Sequence, residues 1–266
     1  MIRKLAYAIL GFWLLAVLLG RLFQLDPNQI DLNSILSVPT SAYWLGSDDL
    51  GRSILARLLQ GVEVSLLLAV VVTVLTMTIG VLVGLLAGFY GGKVDQVLMQ
   101  ISDVFLAFPG ILLAIAFAAV LGPGLFNLML ALSLTGWVNY ARLTRGQTLS
   151  LRNRQHVQAA VSLGASVPRL IAKHILPLLT SVLVVEATYS LASVMIAEAS
   201  LSFLGLGIQA PNASWGAMLR DAVRYMLIAP HYVLIVGLSL MSLILAINLG
   251  GDSLRDGLDV RQASER

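Results

Sequence analysis

The sequence contains no cysteine and only three histidines among its 266 residues. Disulfides and thiolate metal sites are therefore excluded. His156, His174 and His231 lie far apart with no H-E-x-x-H pair, so no zinc helix of that kind is present. Charge is scarce as well: Lys, Arg, Asp and Glu make up 12% of the chain, against about 25% in a soluble domain. No G-x-S-x-G elbow occurs. The nearest approach to a phosphate-binding loop is Gly91-Gly92-Lys93, with Ala87 where that motif needs its first glycine and Val94 where it needs a hydroxyl. The chain is expected to be no enzyme, to bind no ATP by that device and to hold no metal. A net charge of +3 is too small to indicate a nucleic-acid partner.

Apolar side chains are what the chain has in excess. They form 58% of it even with glycine left out, beyond the about 45–50% of a soluble domain. They are gathered into charge-free runs of the roughly 20 residues that cross a bilayer. The lipid bilayer is thus the first expected partner, and the fold class is all-α, a polytopic transmembrane helical bundle.

Six spans are expected. The first covers residues 5–25 behind Arg3 and Lys4. It resembles a secretory signal, but Arg21, Leu22, Phe23 and Gln24 stand where a cleavage site needs small residues, so it is read as an uncleaved span with Arg21 snorkelling outward. Residues 26–60 are polar and read as an aqueous loop. The second span lies within residues 64–92 and carries Gly80, Gly84, Gly88 and Gly92, a four-residue spacing that lets a neighbouring backbone come close in lipid. Residues 104–141 are again charge-free, but Gly122, Pro123 and Gly124 end helices, so a third span stops near Leu121 and a fourth starts near Leu125. Residues 142–173 are basic. A fifth span covers 176–203, with Pro177 in its first turn where proline is tolerated, and a sixth covers 231–249 after a polar segment at 205–224. Six spans put both termini on one side. Twelve lysines and arginines lie on that side against five on the other, which places both termini in the cytoplasm. Tyr43, Trp44, Trp215, Tyr225 and Tyr232 then fall near the outer interface, where aromatic belts belong.

Glu186 and Glu198 stand inside the fifth span, where a carboxylate costs several kcal/mol unless it is paired or wetted. Both are translocation-path candidates. Glu186 is mid-span and expected to face a cavity or a partner. Glu198 lies near the outer end, where it can reach interfacial water or cap the following loop. Twelve residues at about 100° each set the two roughly 120° apart, off a common face.

The basic segment 140–179 reads YARLTRGQTLSLRNRQHVQAAVSLGASVPRLIAKHILPLL. It resembles the cytoplasmic coupling loop of binding-protein-dependent ABC importer permeases: an acid, two alanines, three residues, glycine, nine residues, then a hydrophobic or His position and Leu-Pro. The matching positions are Gln158, Ala159, Ala160, Gly164, His174, Leu176 and Pro177, with Gln158 in place of the acid. The pattern reads as two short helices, 155–163 and 168–174, hinged at Gly164. WLGSDDLGRSILARLLQGVEVSLLLA from Trp44, GLLAGFYGGKVDQVLMQISDVFLAFPGILLAI from Gly84, AEASLSFLGLGIQAPNASWGAMLRDA from Ala197 and LAINLGGDSLRDGLDVR from Leu245 are similar to the dipeptide, oligopeptide and nickel permeases of that family.

The resemblance implies a second homologous permease beside this one, two ABC ATPase subunits beneath that hold the ATP and Mg, a substrate-binding protein above, and a place in the bacterial inner membrane. It divides the chain into residues 1–60, a first span and outer segment; 61–251, the core with its coupling loop at about 142–176; and 252–266, a cytoplasmic tail. Short peptides are the expected cargo, with nickel or a metal chelate as the alternative. A secondary transporter should show inverted repeats and a channel a filter or charged ring; neither stands out.

Overall fold

The computed structural model describes residues 2–264. Arg266 and the side chain of Arg261, both among the basic residues counted on the cytoplasmic side, lie outside the described residues. All regular elements among the described residues are helical: α1 (Ile2–Leu22), α2 (Ile54–Tyr90), α3 (Gly92–Leu106), α4 (Gly110–Leu121), α5 (Leu125–Leu151), α6 (Gln155–Ser162), α7 (Val167–Leu170), α8 (Leu176–Phe203), α9 (Trp215–Arg224) and α10 (Pro230–Ser264), with a short 3₁₀ turn at Leu32–Ser34.

The centre is α2. Its N-terminus is capped by the Ser53 hydroxyl, which accepts from the Ala56 amide. At 37 residues and about 1.5 Å per residue it is about 55 Å long, well beyond the ~30 Å of a hydrocarbon core. The excess sits at its start, where Ile54, Leu58 and Val62 pack with Trp13, Trp215 and Tyr232. The Trp215 ring lies over Gly61 and its indole donates to the Leu58 carbonyl at 3.0 Å. On the outside of the bundle large apolar side chains such as Leu14, Leu18, Val120 and Phe126 stand exposed, the inverse of a soluble surface and the pattern a bilayer requires.

Along its other half α2 packs on α5. A methyl group at Gly84 would sit 2.6 Å from Thr144 Cβ, one at Gly88 2.7 Å from Thr148 Cβ, and one at Gly80 would meet the Trp137 carbonyl and Tyr140. These three glycines are the approach surface. Gly92, expected as a fourth, is not part of it. It follows α2 at φ +54 and starts α3 with nothing near its α-carbon substituent position, because α2 has already ended at Tyr90.

Four described helices are long and apolar enough to cross a membrane: Arg3–Leu22, Ile54–Tyr90, Val167–Phe203 and Pro230–Gly257. α3 and α4, which meet at 84°, are together long and apolar enough for a fifth, broken crossing. From sequence the charge-free run from residue 104 reads as a third span ending near Leu121, and the structure bends it. Pro109, lacking an amide hydrogen, stands at the α4 N-cap and breaks it. The Gly122-Pro123-Gly124 break falls where expected, between Leu121 and Leu125. Arg21, expected to snorkel, is held by Glu63 of α2 through two 2.7 Å hydrogen bonds.

Candidate functional site

The basic segment does not begin with a loop. α5 continues through Leu151, and Arg142 and Arg145 pair with Asp103 and Asp95 of α3; the second Arg145–Asp95 contact is 2.7 Å. Residues 142–151 therefore extend a helix tied to its neighbour. Arg152 follows and donates to the carbonyls of Gly88 at 2.9 Å and Phe89 at 3.2 Å. Those are last-turn acceptors of α2, where a cation is favoured.

From Arg154 the chain enters α6. Val157 is buried and anchors the helix, while Gln158 and Ala159 are exposed and Ala160 is partly so. The Gln158 amide donates to the Arg152 carbonyl at 2.9 Å, a bond that the acid of the family pattern has no proton to make when ionised. The helix ends in a closed cap: Ala165 N–H donates to the Ala160 carbonyl at 3.0 Å and Gly164 N–H to Val161 at 2.9 Å, with Gly164 at φ +77. Gly164, expected as a hinge, is thus a hydrogen-bonded turn with open space around it. The two apolar side chains beside it are not part of the motif legible in the sequence. Leu163 is 88% exposed and Val161 48%, and an apolar run ending at a glycine was the signal available.

After α7 a π-helical turn, Ile171–Ile175, leads straight into α8, with the Leu176 amide bonded to the Ile171 carbonyl. Pro177 cannot donate to the Lys173 carbonyl, which accounts for the wider turn. His174 lies in that turn and is half-buried; Leu176 and Pro177 open α8 and are exposed. The structure therefore sets Gln158, Ala159, Ala160 and Gly164 on one short helix and its cap, and the other three on the foot of a spanning helix.

Further along α8 the two carboxylates diverge. Glu186 is half-buried and lines a cavity of about 480 Å³ between α4, α5 and α8, with Gly110, Asn139, Tyr140, Ser190 and Ser193. Glu198 does not line it. It is 1% exposed and accepts from Ser65 of α2 at 2.8 Å and Ser202 at 2.7 Å. Buried in this way it joins two helices and, since Ser202 also accepts from the Ile208 amide at 3.3 Å, the loop after α8.

The polar segment before α2 holds one more constellation. Asp48 is fully buried, accepts from Arg52 at 2.7 Å and lies 3.3 Å from Arg57. Burial, and then the charge of Asp48, push the Asp49 carboxyl above its ordinary value. From sequence both acids read as part of an aqueous loop. Their buried partners make them a structural lock on the start of α2.

A family model described as binding-protein-dependent transport system inner membrane component matches residues 80–261. The chain is 44% identical over 237 residues to the glutathione transport system permease protein GsiD of Pectobacterium atrosepticum, covering 89% of this chain and 79% of that one. It is 40% identical over 240 residues to the nickel transport system permease protein NikC of Escherichia coli K12, covering 90% and 87%. Among solved structures, an inward-facing MetNI methionine ABC transporter matches with a TM-score of 0.60 over 75% of this chain and 95% of that one, at 19% identity, which shows a shared fold.

Proposed function

Because the chain belongs to the family of binding-protein-dependent transport system inner membrane components, the permease subunits of ABC importers, we propose that it pairs with a second similar permease to form the path for short peptides. It is a multi-pass inner-membrane protein. The observation that carries the reading is α6: a short helix anchored by Val157, tied to α2 through Arg152, and exposing Val161 and Leu163. Such an apolar knob on a braced mount suits docking into a cytoplasmic ATPase, and the ATP and Mg belong to that partner. A substrate-binding protein delivers cargo at the other end.

In this reading both termini and α6 are cytoplasmic and α5 is the sixth crossing. With no native cysteine, single cysteines at Asp31 and Asn212 should label from outside and one at Gln155 only from inside. Outside labelling at 155 would overturn it.

Glutathione is a tripeptide, and the relative that carries its name supports peptide cargo. Nickel is the second reading, from the relative named for it. The deciding experiment is uptake into proteoliposomes holding both permeases, the ATPases and the binding protein. Peptide uptake that needs ATP and ignores an imposed ion gradient supports the proposal; uptake driven by the gradient alone, or of nickel in place of peptide, refutes it.

A further inference from the structure

We propose that Glu186, Tyr140 and Ser190 form a transient subsite for the protonated α-amino group of the peptide as it passes through the path. The inference rests on the peptide-import reading and adds to it where the cargo's charge is met.

Three observations support it. First, Glu186 is unpaired: no lysine, arginine or histidine lines its cavity, and no cation among the described residues forms an ion pair with it. A carboxylate held at mid-span without a partner costs several kcal/mol and is retained where a cation visits. Second, Tyr140, on the facing helix α5, is 1% exposed and lines the same cavity, and its hydroxyl, with Ser190 as its polar neighbour, meets no partner in good hydrogen-bond geometry. A buried hydroxyl left unbonded is costly, and a ligand in the cavity would supply what it lacks. Third, the donor count fits. An ammonium has three N–H donors and no acceptor, and the Glu186 carboxylate, the Tyr140 hydroxyl and the Ser190 hydroxyl are three oxygens lining one cavity.

The competing cation is a divalent metal. Such ions take about six oxygen ligands with one or more carboxylates, and nickel prefers imidazole or nitrogen donors. One carboxylate with neutral hydroxyls suits a monovalent, hydrogen-bonding cation better. Affinity must also stay low, because a path that held its cargo tightly would not release it. One charge-assisted contact meets that condition.

The test is ATP-driven uptake of labelled trialanine by the complete reconstituted importer at saturating binding protein. Wild type is compared with E186Q, E186D and Y140F, and substrate-free ATP hydrolysis and complex yield are measured alongside. At pH 6.5, E186Q should import about tenfold more slowly than wild type with wild-type yield and basal hydrolysis. E186D should recover most of the rate, and Y140F should lose a few-fold. The α-amino group titrates at about 7.7–8.0, so the wild-type to E186Q ratio should fall towards one by pH 9; the binding protein is common to both arms and cancels. The titratable groups facing Glu186 are Tyr140 on α5 and Tyr189 on α8, whose hydroxyl donates to Asp252 of α10 beside Arg255; a phenol titrates at about 10, above that window. A ratio that stays constant with pH, a wild-type rate in E186Q, or E186Q complexes that fail to assemble would each overturn the subsite while leaving peptide import standing. A wild-type importer that takes up no trialanine refutes the peptide reading, and the subsite with it.

Discussion

The side-chain amide of Gln158 donates a 2.9 Å hydrogen bond to the carbonyl oxygen of Arg152. Arg152 in turn grips the last carbonyls of α2 through its guanidinium. Two residues thus join the short exposed helix to the longest helix of the bundle. A displacement applied to α6 reaches α2 through hydrogen bonds as well as through the chain.

That linkage makes a prediction for coupling. Arg152→Ala removes the grip on α2, and Gln158→Glu replaces a donor with an acceptor facing a carbonyl. Each should lower substrate-stimulated ATP hydrolysis of the reconstituted complex several-fold while the ATPase subunits still co-purify. Arg154→Ala should change it little, since Arg154 is exposed and a lone surface charge contributes about 0–1 kcal/mol. Equal stimulation in Arg152→Ala and Arg154→Ala would show that the linkage carries no force.

A second prediction concerns the seam between α2 and α5. Any side chain at Gly84 starts 2.6 Å from Thr144 Cβ and 2.9 Å from the Arg145 amide nitrogen, and backbone cannot yield as a flexible side chain can. Gly84→Leu should separate the helices and destabilise the solubilised protein by about 1–3 kcal/mol. Gly11→Ala is the matched control. Nothing lies within 4 Å of that position, and alanine favours a helix by up to about 1 kcal/mol over glycine. Thermal unfolding in detergent, followed on both variants, should move in opposite directions.

A third prediction separates the two glutamates. Glu198 accepts two hydroxyl hydrogen bonds in a buried site, so Glu198→Ala should cost about 1–3 kcal/mol of stability by stranding Ser65 and Ser202. What protein remains folded should transport normally, because Glu198 lies off the cavity that Glu186 lines. Complex yield and uptake per assembled complex, measured separately, decide the matter. A Glu198→Ala importer that assembles fully but fails to transport would put Glu198 back in the path.

The span ends could be read from sequence because Gly122-Pro123-Gly124 acts locally, as did the glycine stripe, whose four-residue spacing maps onto one helix face. The misses share a cause. Arg142 and Arg145 look like loop charges until α3 brings Asp103 and Asp95 beside them. Ser65, which holds Glu198, is 133 positions away in sequence. Asp48 looks solvated until Arg57 folds over it. Each depends on a neighbour that only the tertiary fold supplies, and a charge-poor chain gives few other clues to such pairs.

Gly164 provides the last prediction, since geometry separates two reasons for a glycine that the sequence leaves joined. A side chain there can be excluded by a close neighbour or by the backbone angle. Nothing lies within 4 Å of the position, whereas φ is +77, so the backbone angle is the constraint in this chain. Residues other than glycine pay about 1–2 kcal/mol for the left-handed region, and asparagine enters it more readily than most. Gly164→Ala and Gly164→Leu should therefore loosen the cap that fixes Val161 and Leu163, and lower substrate-stimulated ATP hydrolysis to a similar degree. Gly164→Asn should retain most of it. If Leu were far worse than Ala, with Asn as poor as Leu, the side chain's size would be decisive, and the open space at Gly164 would be occupied by the docked ATPase.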